Sequence, residues 1–199
     1  MKFNLKEVLV KHTRKTIHPH IEKEIVDNLK VAFEFYEYLT EEDVKAMLAY
    51  QDEEGTFKIT KDGVFDGEVT MHLWYDSTYL ITCTLLRLYL TERFNIDRSV
   101  IITALNACEE SKFAGHGYNG YARTLQTTIM FLESGICSFL SDNFHQCEKF
   151  SFMILSICND ALNMLKENEV IIGWGCDVSV ELHKIKKFKE SIDKLLLSI

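Results

Sequence analysis

The sequence predicts an all-α protein, a single domain of about seven helices, and three observations carry that expectation. One proline and nine glycines in 199 residues leave long stretches with nothing to interrupt a helix. Apolar residues recur at spacings of three and four through most of the chain, as one buried helix face requires. With 47 % apolar and 26 % charged residues, the chain has the means to bury a core and does not read as disordered.

Each helix has its own signature. After a charged N-terminal extension, residues 1–19, a first stripe is formed by Ile21, Ile25, Leu29, Ala32, Phe33 and Tyr36. Thr40 opens a second, shorter helix, with Asp43 completing a variant of the capping box. Periodicity then lapses over residues 52–76, whose glycines and short β-prone runs predict a long loop, with room for a small hairpin. Asp76 or Ser77 is the expected cap of the next helix, which buries Tyr79, Cys83, Leu86 and Leu90. Asp97 caps another, with Val100, Ile101, Ala104, Leu105 and Cys108 facing inward.

The glycine-rich segment "KFAGHGYNGYARTLQ" follows, and a helix from about Gly120 to Ser134 buries Tyr121, Leu125, Thr128 and Leu132 before stopping near Gly135. "ICSFL" reads as a short extra turn. A long helix from about Gln146 to Glu167 carries Phe150, Met153, Ile154, Ile157, Ala161 and Leu165. The last, from about Ser179, turns Leu182, Ile185, Phe188, Ile192 and Leu195 inward.

Composition also narrows function. A formal net charge of −8 and the lack of a basic stripe argue against nucleic acid. No window nears the roughly 18–20 apolar residues of a membrane span, and the N-terminus lacks the pattern of a signal peptide. The six cysteines (Cys83, Cys108, Cys137, Cys147, Cys158 and Cys176) are scattered, with no C-x-x-C pair, as expected of reduced thiols in a cytoplasmic protein. The cofactor, if any, is not specified, and the apolar content leaves room for a homo-oligomer.

Short connections make successive helices antiparallel neighbours, so alternate connections fall at opposite ends. By that parity the segments 52–76, 113–120 and 168–178 gather at one end. The first holds Asp66, Glu68, His72, Trp74, Tyr75 and Asp76; the second His116, Tyr118 and Asn119, with Arg123 one turn on; the third Trp174, Cys176 and Asp177. Aromatics, carboxylates, an imidazole and a guanidinium together suit a small polar or carbohydrate-like ligand and acid/base chemistry.

In this scheme His116 is the polar centre, Asp66, Glu68 or Asp76 its carboxylate partner, and Trp74, Tyr118 and Trp174 the walls. Asn119, Arg123 and Asp177 add polar contacts. A structural role is open for each: His116 beside a C-cap glycine, Asp66-Gly67 as a turn, Asp76 as a cap, the tryptophans as a lid on the bundle. No metal site is predicted, because Asp177 and His183, six apart, fall on different helical faces. No nucleophile elbow or cysteine–histidine pair is present. The rival reading is a non-catalytic helical module that binds or regulates another protein.

The stretch "MLAYQDEEGTF", followed by "DGEVTMHLWYDSTYLITCTLLRLYL", resembles one repeat of the α/α-toroid proteins, which include terpene cyclases and protein prenyltransferase β subunits. The resemblance lies in a helix ending in Q-x-x-x-G-x-aromatic (Gln51, Gly55, Phe57), a loop, and a helix rich in Tyr, Thr and Leu. It covers about residues 45–90 and implies helical hairpins around a cavity lined by loops, in an open or partial toroid or an irregular antiparallel array. The D-x-D-D motif of protonating cyclases is absent, and Cys176 directly precedes Asp177, unlike the prenyltransferase zinc ligands. The resemblance therefore implies architecture and no catalytic residue.

Overall fold

A computed structural model describes residues 19–57, 68–110, 129–167 and 178–197, and for residues 68–76 it describes the backbone alone. Among the described residues it is all-α, with seven α-helices and no strand. They gather into two compact units, Met1–Ser111 and Lys112–Ile199.

The first unit contains α1 (Pro19–Glu34), a 3-10 turn (Tyr36–Tyr38), α2 (Glu41–Leu48), α3 (Glu68–Leu90) and α4 (Arg98–Glu110). α1 and α4 both pack on α3. From α1 come Ile25, Leu29, Ala32 and Phe33, all buried, in the predicted register. From α4 come Ile101, Ala104, Leu105, Ala107 and Cys108, also buried. Asp97 caps α4 as expected, its Oδ1 accepting from the Ser99 N–H at 2.8 Å. That bond holds the Asp97 carboxyl below its usual pKa.

α3 departs from expectation. It begins at Glu68, well ahead of the predicted cap at Asp76 or Ser77, so that residues 68–76 are helix and not loop. Ser77 is no cap either. It is fully buried mid-helix, its Oγ donating to the Phe57 carbonyl at 2.7 Å. Every residue from Ser77 to Leu86 is buried, so the stripe Tyr79, Cys83 and Leu86 is the middle of a contact that runs round the helix, while Leu90 is half-buried.

A helix enclosed on all sides can keep hydroxyls only if they are satisfied. Thr82 and Thr84 donate back to the carbonyls of Thr78 and Leu80 at 2.6 and 2.7 Å. The Tyr79 hydroxyl reaches the Cys108 carbonyl at 3.2 Å and ties α3 to α4.

α2 starts on the predicted capping box. The Thr40 N–H donates to Asp43 Oδ2 at 2.9 Å, and the Asp43 N–H returns to Thr40 Oγ1 at 3.3 Å. Thr40→Ala should cost about 1 kcal/mol, because one orphan N–H loses its acceptor. Thr40→Ser should retain most of that. The urea midpoints of the two variants check the pair; equal losses would mean that the hydroxyl is not what holds this end.

The second unit holds helical residues 129–133, α5 (Ile136–Asn143), a 3-10 turn (Phe144–Cys147), α6 (Glu148–Glu167) and α7 (Val178–Leu197). The predicted break at Gly135 is present, at φ +88°. After it, "ICSFL" opens a two-turn helix rather than a single turn, because Ile136, Phe139, Leu140 and Asn143 recur at helical spacing and are buried. Just before the break, Phe131 is buried while the predicted Leu132 is half-buried. α5 and α6 both contact α7. Their shared core includes Phe139, Phe150, Ile154, Ile185, Phe188 and Ile192.

Candidate functional site

The resemblance motif has a definite structural use. After α2 the chain turns at Gly55, φ +89°, and an isolated antiparallel bridge pairs Gln51 with Phe57. Asp52 Oδ1 closes the turn by accepting from the N–H groups of Glu54 and Thr56 at 3.1 and 2.9 Å. Gln51 Nε2 donates to the Val100 carbonyl on α4 at 3.0 Å. Phe57 is fully buried, and its N–H donates to Thr78 Oγ1 on α3 at 3.0 Å. Gly55 lies against the Thr103 backbone on α4. The three motif residues thus fasten one turn to two helices.

Just above that anchorage on α3 lie three of the predicted site residues, Glu68, Trp74 and Asp76, together with His72 and Tyr75 of the same segment. Glu68, His72, Trp74, Tyr75 and Asp76 are all in the first turns of the helix, on a rod whose next ten residues are core. This corrects the picture of a loose 52–76 loop, since these residues take helical register. Positions 68, 72 and 76 step by four and share one side of the backbone, along a run of about 12 Å. The remaining candidates, Asp66, His116, Tyr118, Asn119, Arg123, Trp174 and Asp177, lie outside the described residues, as does the gathering of the three segments.

The described thiols are not poised for chemistry. Cys83, Cys108, Cys137 and Cys147 are thiols and not disulfides. Burial pushes the Cys108 thiol up, and Cys147 up to about 11, so both stay protonated and poorly nucleophilic at neutral pH. Burial likewise raises Tyr50. Among the described residues no helix is long and apolar enough to cross a membrane.

Sequence reading missed a second feature, the bend between α1 and α2. Arg87 lies over the rings of Phe33 and Tyr36, 4.3 and 4.8 Å from their centroids, and donates to the Phe33 carbonyl at 2.9 Å. Arg93 donates to the carbonyls of Tyr36, Glu37 and Leu39. The bend so held leaves Phe35 and Tyr38 48 % and 65 % exposed. Partners more than fifty residues apart give no local signal; the only hint was aromatic density in "FEFYEY".

Compared with known protein families, with curated proteins and with solved structures, the chain matches none.

Proposed function

We propose that the chain binds a small polar or carbohydrate-like molecule through the N-terminal turns of α3 and acts on it by acid/base chemistry. The observation that carries the reading is register. A glutamate, a histidine and an aspartate follow at four-residue steps along one helix, with two aromatics between the last two. A carboxylate and an imidazole one helical turn apart suit proton transfer to and from a hydroxyl. Trp74 and Tyr75 supply faces on which a sugar-like ring can stack.

In this reading Glu68 and Asp76, with Asp66, are the acid/base carboxylates. His116 with Tyr118, Asn119 and Arg123, and Trp174 with Asp177, remain proposed contributors on the strength of residue type. The α/α-toroid likeness remains the proposed architecture, supported by the use of Gln51, Gly55 and Phe57 to seat one helix–turn–helix unit.

A thermal-shift screen of sugars, polar metabolites and divalent metals tests the proposal. A ligand present at a hundred times its Kd should stabilise the wild type by about 2.7 kcal/mol. His72→Ala and Asp76→Asn should lose most of that response, and His116→Ala and Trp174→Ala report whether those residues contribute. Equal responses from the wild type and the α3 variants, or no ligand in the whole screen, would overturn the assignment.

A further inference from the structure

Two exposed surfaces remain unused by the ligand reading, and they are complementary. The first is the bend between α1 and α2. Its exposed aromatics, Phe35 and Tyr38, have ring centroids 6.4 Å apart. Glu34, Glu37 and Glu42, all exposed, flank them; Glu41 is exposed as well and pairs with Lys45 at 2.9 Å, and no lysine or arginine occurs between residues 31 and 44. The two guanidiniums nearby, Arg87 and Arg93, lie against main-chain carbonyls and other rings. The outward side keeps its two rings and more carboxylates than cations, and the arginines hold the bend in one shape before any partner arrives, which lowers the ordering cost of an encounter.

The second surface is the outer stripe of α7. His183, Lys186, Lys187, Lys194 and Leu197 are exposed, and Glu190 is the one exposed carboxylate among the residues of this helix whose side chains are described. Positions 183, 187, 190, 194 and 197 alternate steps of four and three, which keeps them on one side of the helix. The inner lysines are already paired, Lys184 with Glu133 at 3.0 Å and Lys189 with Asp193. The stripe is a basic surface ending in an apolar residue, Leu197, that is 88 % exposed.

We propose that the occupant of the acidic aromatic bend is a second copy of this chain, which presents the basic outer stripe of its α7. Charge complementarity selects this occupant: every molecule carries both halves of the contact, and the net charge of −8 makes unspecific self-association unfavourable. Because the two patches differ, the contact is heterologous, so repetition gives a closed ring or an extending chain of protomers. The inference is independent of the proposed ligand site.

Sedimentation at low ionic strength over a concentration series reads the association directly. The wild type should show a mass that rises with concentration and falls when salt shortens the Debye length below the pair separations. Glu34→Lys/Glu37→Lys, and separately Lys186→Glu/Lys187→Glu, should each weaken association at least about tenfold. A chain carrying all four changes should associate again, and a mixture of the two double variants should form mixed oligomers. All four positions are exposed, and unchanged helical circular dichroism would show that the folds persist. A wild type that stays monomeric throughout, or association indifferent to both reversals, would overturn the proposal.

Discussion

Gly55→Ala should destabilise the first unit by about 3–5 kcal/mol, the largest effect expected of any substitution that adds a single carbon here. Two costs act together. At φ +89° a residue with a β carbon is strained wherever it sits, at about 1–3 kcal/mol. The new carbon would also lie 2.4 Å from the Thr103 carbonyl oxygen and 2.8 Å from Thr103 Cγ2. Either the turn lifts from α4, breaking the bond from Gln51 to Val100, or α4 shifts and disturbs its contact with α3.

The origin of the clash is separable. Truncating the neighbour, in Gly55→Ala with Thr103→Ala, removes only the Cγ2 contact. It should therefore recover little, because the closer contact is to backbone. Urea unfolding followed by circular dichroism measures both variants. A loss below about 1 kcal/mol, or full rescue by Thr103→Ala, would show that the turn is not held against α4 as described.

The Gln51–Phe57 turn also marks how far the sequence speaks for the fold. Gly55 and the Thr40–Asp43 box are legible because their chemistry is local: a φ that needs glycine, and a cap with its return bond. The start of α3 was not. "GEVTMHLWYDST" offers valine, threonine and aromatics that fit a strand as well as a helix, and Asp76-Ser77 imitates a cap. What decides the matter is tertiary. Phe57 supplies a carbonyl and an N–H to Ser77 and Thr78, so the hydroxyls that suggest a helix end are used inside the core. The helix is then free to extend to Glu68.

The candidate site divides along the same line. Residue types pointed to Glu68, Trp74 and Asp76, but only a backbone could give them a common helical register. The bend shows the opposite limit. Arg93 and the carbonyls that it holds lie 54 to 57 residues apart, a pairing that no periodicity encodes. Where function depends on such distant partners, sequence pattern identifies the residues and leaves their company open.

Phe150→Ala should cost the second unit about 3–5 kcal/mol. Phe150 is fully buried and meets Phe131 edge to face, with ring centroids 5.0 Å apart and planes at 68°. The same unit buries Phe139 and Phe188 completely or nearly so, and a dense aromatic core closes poorly over the void that a lost ring leaves. Phe150→Leu keeps most of the volume and should cost less than half as much. A double-mutant cycle with Phe131→Leu isolates the ring–ring contact, expected to couple by about 0.5–1.5 kcal/mol beyond the apolar area lost. Zero coupling would mean that the two rings contribute by volume alone. A Phe150→Ala loss below about 1 kcal/mol would mean that this face of α6 is not packed against residues 129–133, and the core described for the second unit would have to be redrawn.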